Sequence, residues 1–443
     1  MEEDLTTGSV RRNIVIFSLP YLLSYFLQTL YGMADLFIVG QFEGVDSITA
    51  VSVGSQVMHM ITVMIVGLAM GATVTIGKAI GAKKTEQASL AVGNTISLFM
   101  GVAVVLTAIL LVLVRPIVTW MSTPEEAVSA TILYLTICFI GIPFITAYNI
   151  ISSIFRGLGD SKSPMYFIAV ACVANILLDY LFIGALHLGP AGAALGTTLS
   201  QTISVMVAVT VIVKRRTGIS LKKSDFKPQM QMMGQILRVG IPVALQDGFV
   251  QIAFLVITVI ANRRGLNDAA AVGIVEKIIS IVFLVPSTLL STVSALSAQN
   301  IGAKKYDRAT ATLRYAIFIA VGYGIVVATA MQFIGGGVVG IFTEDAIVIT
   351  MGKQYLSAYI WDCIFAGIHF SFSGYFCACG RSGISFLHNI LSIVLVRIPG
   401  AYFASMYFPD TLYPMRLAAP GGSLLSVIIC VIAFEIIKRR RIQ

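Results

Sequence analysis

Apolar runs of about 20 residues recur from one end of this chain to the other, and they constrain its fold more than any other feature. Each is long enough to cross a hydrocarbon core about 30 Å thick. Inside lipid the backbone finds no water to hydrogen-bond, so such runs must fold as helices or close into a barrel. Barrel strands are about 10 residues long and alternate in polarity; these runs are longer and uniformly apolar. With 57% hydrophobic residues and 12% charged, the chain carries about half the charge of a soluble domain. The fold class expected is all-α integral membrane.

Breaks at glycine, proline and charge clusters divide the chain into twelve expected spans, near 14–40, 47–80, 90–114, 128–155, 163–184, 191–213, 237–262, 270–300, 311–334, 347–376, 384–408 and 419–437. Six fall in residues 1–213 and six in 236–443, with a basic linker, 214–235, between them. The first ten residues are acidic and polar, and the run that follows is too long for the core of a signal peptide. Lysine and arginine sort by face. With the amino terminus inside, about 23 of the 30 fall on the cytoplasmic side, and the outer loops keep only Arg115, Arg263, Arg264, Lys353 and Arg416. Both termini are therefore expected in the cytoplasm of a cell whose inner membrane holds the protein. The net charge of +9 serves topology and anionic headgroups. It offers nucleic acid no folded basic domain.

The halves are copies. Ile-Gly-Ala-Lys-Lys at residues 80–84 recurs unchanged at 301–305, an offset of 301 − 80 = 221. Leu19-Pro20 matches Ile241-Pro242, and Phe155-Arg-Gly-Leu-Gly-Asp160 matches Phe376-Cys-Ala-Cys-Gly-Arg381. Each copy holds an even number of spans, so both have the same orientation in the membrane. An axis along the membrane normal should relate them, as in transporters built from parallel repeats.

An ionisable group within a span costs roughly 2.5–3.5 kcal/mol on insertion scales, so each needs a reason. Asp35 and Asp179 stand out. Each precedes by five residues the glycine that ends its run, Gly40 or Gly184, and both spans run outward. The two carboxylates should lie at one depth. Tyr31 and Asn175 precede them by four residues and share their helix faces. Two acids in a low dielectric can hold and exchange a proton, a sodium ion or a cationic substrate; the alternative is a pair of hydrogen-bonded acids that pin helices. Their repeat positions hold Ile257 and Gly400, which assigns the carboxyl site to the first half alone.

The second half has its own buried charges: Asp247, Glu276, Lys277, Asp362 and Arg397. Glu276 and Lys277 diverge by about 100° on a helix and cannot neutralise each other, so Arg397 is the expected partner of Glu276 or Asp362. The set reads as a structural network or a second coupling site. His59, His369 and His388 show no metal spacing, and the six cysteines read as packing residues. Pro20, Pro143, Pro242, Pro286 and Pro399 sit within spans and permit kinks.

The stretch from Leu19-Pro20 through Tyr31-x-x-x-Asp35-x-x-x-x-Gly40, the Arg156-Gly-Leu-Gly-Asp160 loop, Asn175-x-x-x-Asp179, Gly196-Thr197-Thr198 and Gln299-Asn-Ile-Gly-Ala-Lys304 together resemble the multidrug and toxic compound extrusion (MATE) family, especially its DinF-like branch. The resemblance spans essentially the whole chain. It implies two six-helix lobes, alternating access, and export driven by inward proton or sodium movement. It assigns cation coupling to Asp35 and Asp179, with Tyr31, Asn175 and Thr197 as supporting ligands, and a substrate cavity to Pro20, Tyr134 and Gln56. Other MATE branches carry acids in the seventh and tenth helices; this chain has Gln251 and Phe365 near those places.

The nearest alternative is a flippase of lipid-linked precursors or amphiphilic metabolites from the same superfamily, which calls for cationic residues in the cavity. An intramembrane enzyme would need a Gly-x-Ser-x-Gly, paired-Asp or metal motif, and the sequence has none. A passive channel would repeat its charges in both halves. No Walker-type loop is present, so the energy should come from an ion gradient, with no cofactor beyond H+ or Na+. The partners expected are a small-molecule substrate and membrane lipid, with the monomer as the working unit.

Overall fold

In the computed structural model, which describes residues 4–214 and 221–442, the chain is helical throughout, and the described residues contain no strand. Arg215 and Arg216 of the basic linker lie outside the described residues. The helices are α1 (Val10–Phe42), α2 (Val45–Gly81), α3 (Thr85–Trp120), α4 (Glu125–Ile140), α5 (Ile142–Leu158), α6 (Lys162–Asp179), α7 (Gly189–Lys214), α8 (Met230–Asn262), α9 (Leu266–Val282), α10 (Leu284–Gly302), α11 (Tyr306–Gly340), α12 (Ala346–Tyr359), α13 (Asp362–Ala378), α14 (Ser382–Ser392), α15 (Ile398–Tyr407) and α16 (Tyr413–Ile442). Two π-helical turns interrupt them, Tyr180–Ala185 after α6 and Ile393–Arg397 between α14 and α15.

Among the described residues, ten helical stretches are long and apolar enough to cross a bilayer, and the pair α4–α5, bent by 48°, makes an eleventh if taken as one span. The tenth expected span, 347–376, is filled by α12 and α13 in succession. Several prolines sit at these irregularities: Pro143 follows the α4–α5 bend, Pro286 follows the break after α9, and Pro399 opens α15. Pro20 and Pro242, by contrast, lie inside unbroken helices. The exterior is apolar, as lipid requires. Its least buried spans are α3 and α11, which are repeat counterparts (306 − 85 = 221).

The chain forms two compact units. One contains Leu19–Gly240, the other Thr6–Ser18 and Ile241–Gln443. The division therefore falls inside α1 and inside α8, in both cases just before the residue that precedes the matched proline, Leu19 or Ile241.

In the first unit, apolar side chains of α1, α2, α3 and α4 cluster around Val39, Val51, Leu135 and Phe139. A second cluster joins α2, α3 and α5 through Ile76, Phe99 and Ile150. Gly71 lets the backbone of α2 approach the Ile236 carbonyl of α8, and Gly240 does the same against Leu68; a methyl group at either would collide with main chain. The described end of the linker is clamped to α3. Asn94 donates to the Asp225 carbonyl at 3.1 Å and accepts from the Gln229 amide at 2.7 Å, and Ser97 donates to the Phe226 carbonyl at 2.7 Å.

The second unit packs α8, α9, α12 and α16 around Val275, Ile279, Tyr355 and Leu356. Arg264 staples its edge. The guanidinium pairs with Asp268 at 2.6 Å and donates to the carbonyls of Ser405, Phe408, Pro409 and Thr411 at 2.8–3.2 Å, binding the end of α15.

The duplicated motifs are turns. Lys83 and Lys304 occupy the same place in the two Ile-Gly-Ala-Lys-Lys segments and adopt left-handed backbone, φ 57° and 60°. This geometry lets Lys84 N–H reach the Ala79 carbonyl and Lys305 N–H the Asn300 carbonyl, closing each helix. Gly159 and Gly380 close α5 and α13 the same way, at φ 92° and 75°. After Gly159, Asp160 caps α6: its carboxylate accepts from the amides of Lys162 and Ser163 and from the Ser163 hydroxyl.

Candidate functional site

Asp35 and Asp179 meet in the first unit. Asp35 projects from α1, just before the buried Ile38 and Val39, and is 4% exposed; Asp179 ends α6 and is fully buried. Thr197 of α7 donates its hydroxyl to Asp35 Oδ2 at 3.1 Å. Asp179 and Asn175 close on the same carboxylate. Gly196, the residue before Thr197, has no side chain, and Asp179 Oδ1 fills the space a methyl group would take. The π turn starts at the next residue, Tyr180. Such turns shift the register of the following helix and cluster at functional sites.

Satisfaction is incomplete here. Asp35 Oδ1, both oxygens of Asp179 and both amide atoms of Asn175 are buried without a hydrogen-bond partner. No lysine or arginine pairs with either acid among the described residues. Two carboxylates this close, shielded from water, repel each other unless a proton or cation lies between them. The pair thus has the chemistry of an exchangeable cation site.

Tyr31 lies on α1 within electrostatic range of Asp35, beside Gln201 and Tyr148. Gln201 sits one turn beyond Thr197 on α7 and is buried with a free Oε1. Neither Gln201 nor Tyr148 stands out in the sequence; the i+4 step from Thr197 was the signal that could have found the first. Tyr134 is buried in α4, its hydroxyl 3.1 Å from Ser55 Oγ, with its ring over Gly54. Gln56 is exposed on α2. Pro20 is half-buried; fifteen residues before Asp35, it stands about 22 Å away along α1.

The second-unit charges divide. Arg397 faces Asp362 at 3.7 Å and donates to Ser423 Oγ at 2.6 Å. Glu276 is half-buried and accepts from Thr258 at 3.3 Å, while Lys277 is exposed on another face of α9. Asp247 is half-buried on α8 beside Gln246. Arg416 corrects the sequence reading. Expected in an outer loop, it lies in the first turn of α16, 2% exposed, its guanidinium over the rings of Tyr359 and Tyr355. Charge counting places an arginine between apolar runs outside; here α16 starts six residues before the expected span and draws it in. His388 contacts Ser373 Oγ at 2.9 Å and His369 contacts Ser423 Oγ at 3.4 Å, and no cluster among the described residues is suited to a metal.

A family pattern, MatE, matches residues 20–181 and again 242–403. The two matches cover most of the chain, and each begins at the duplicated proline. The chain belongs to the MATE family. MATE relatives align nearly end to end. The probable multidrug resistance protein YoeA of Bacillus subtilis is 27% identical over 95% of this chain and 92% of its own length. The multidrug export protein MepA of Staphylococcus aureus is 26% identical over 88% and 86%. A solved outward-facing multidrug resistance MATE transporter superposes with a TM-score of 0.92 at 24% identity, covering 98% of each chain. Membership of the MATE family makes this chain a multi-pass membrane transporter and not an enzyme.

Proposed function

We propose that this MATE protein exports drug-like and organic-cation molecules by alternating access, in exchange for H+ or Na+ entering through the first-unit acids. The observation that carries the reading is the buried pair Asp35 and Asp179, which share one polar cluster and leave three oxygens unpartnered. Asn175, Thr197 and Tyr31 are the supporting groups: a carbonyl and a hydroxyl to ligate, and a phenol beside the site. A bound cation is stabilised by both charges, and a substrate that competes for them is released as the ion arrives. The names of the YoeA and MepA relatives support the drug-export part. The lysine and arginine distribution supports a cytoplasmic-membrane protein with both termini inside, and the two units suffice for the cycle in one monomer.

The test is efflux of ethidium from membrane vesicles under imposed proton or sodium gradients. Asp35→Asn and Asp179→Asn should each abolish gradient-driven transport while the protein still reaches the membrane. Transport surviving both substitutions would make the acids structural and move coupling to the second unit.

A further inference from the structure

The second unit contains a pocket in the repeat position of the acid site, with the charge reversed. Among its lining residues are Ala253, Ile257, Tyr359, Arg397, Arg416 and Ala419. The offset between the matched prolines is 242 − 20 = 222. Applied to the first-unit site, it carries Tyr31 to Ala253, Asp35 to Ile257, Asn175 to Arg397 and Thr197 to Ala419. These four destinations line this pocket, and that of Asp179, at 400–401, does not. Tyr134 has its own counterpart in Tyr355 (134 + 221 = 355), whose ring lies 4.5 Å beneath the Arg416 guanidinium. An aspartate has become an isoleucine, an amide has become a guanidinium, and a further guanidinium has entered.

The charges there are unevenly matched. Arg397 has Asp362 and Ser423 as partners, although its Nε has none. Glu276 accepts from Thr258 at one oxygen, leaves the other without a partner, and is within electrostatic range of Arg416 without bonding to it. Arg416 is different: no carboxylate forms an ion pair with it among the described residues, and its Nε and Nη2 are buried without a hydrogen-bond partner. A guanidinium cannot shed its proton to escape burial. The faces of Tyr359 and Tyr355 offset part of that cost, but ring faces satisfy no N–H in the guanidinium plane. Nε and Nη2 form one edge of that plane, the edge that takes the two oxygens of a carboxylate or phosphate side by side.

We propose that this pocket binds the anionic head of an amphiphile, a carboxylate or phosphate, on the Nε–Nη2 edge of Arg416. Arg397 Nε supplies a further donor, and Val250, Phe254 and Ile257 receive the first carbons of the tail. The protein's substrate range then extends beyond cations to molecules with an acidic group. The inference goes beyond the function proposed above and stands apart from ion coupling, because binding is read with no gradient present.

The experiment is equilibrium binding of 11-(dansylamino)undecanoate to the purified full-length protein in detergent, followed by dansyl fluorescence. The acid should bind saturably, and its methyl ester about tenfold more weakly or worse, the worth of one charge-assisted bidentate contact. Arg416→Gln should bring the acid down to the level of the ester. Arg416→Lys keeps the charge but loses the edge, and should fall between. Displacement by decanoate or by decyl phosphate assigns the head group. Equal binding of acid and ester to the wild-type protein overturns the proposal, and that comparison needs no variant to fold. Displacement by chloride but by neither amphiphile also overturns it, leaving a small-ion site.

Discussion

Thr197 and Asp35 are joined by one hydrogen bond of 3.1 Å between α7 and α1, and that bond leaves the other Asp35 oxygen and the whole Asp179 carboxylate open. The hydroxyl holds one acid in place without consuming the capacity of the pair. The bond orients Asp35 and leaves three carboxylate oxygens of the pair without a partner.

Replacing Thr197 with alanine should weaken ion dependence without abolishing it. Losing one such bond is worth about 1 kcal/mol, or roughly fivefold in apparent ion affinity. Efflux rates measured across a series of proton or sodium gradients check this; an unchanged midpoint would remove Thr197 from the site.

Gly196→Ala tests the packing behind the acids. A methyl group there meets Asp179 Oδ1, so the carboxylate must leave its present position beside Asp35. Transport should fall at least about tenfold, while the melting temperature in detergent changes by only a few degrees. Glycine at this position serves the site more than the helix.

Asp160 belongs to the family-like loop but acts as a cap. Asp160→Ala removes three hydrogen bonds at the start of α6 and should destabilise the protein by about 1–2 kcal/mol. Thermal unfolding should register this, with coupling stoichiometry per transported molecule unaltered.

Asn94→Ala releases the linker from α3, since the amide holds both the Asp225 carbonyl and the Gln229 N–H. Limited proteolysis in the segment 221–229 should accelerate severalfold, because cleavage follows local opening. An unchanged digestion rate would mean that Ser97 and its contact to Phe226 suffice.

Much of this was legible in the sequence because lipid leaves a chain few options. Long apolar runs must be helices, and a charge within one is conspicuous, as Asp35 and Asp179 were. Their common distance from Gly40 and Gly184 singled them out as a pair. Gln201 and Tyr148 escaped notice because neutral polar residues in spans are common, and only three-dimensional proximity singles them out. Arg416 was misplaced because an arginine beside a loop resembles a topology signal, and no hydropathy window reveals two tyrosine rings waiting under it. The breaks after α9 and α12 were likewise invisible, since hydropathy runs on unchanged across them.

The left-handed lysines that close α2 and α10 have a consequence for the age of the duplication. Lys83 and Lys304 each bear a conformational penalty of about 1–2 kcal/mol that glycine would not. A positive charge at the carboxyl end of a helix returns about 0.3–1 kcal/mol through the helix dipole. The charge offsets part of the penalty, and glycine would bring its own entropic cost of about 0.5–1 kcal/mol, so neither copy has gained much by drifting to glycine. Two halves that now differ in nearly every buried charge still spell the same five residues at this turn, which makes it the best surviving record of their common ancestor.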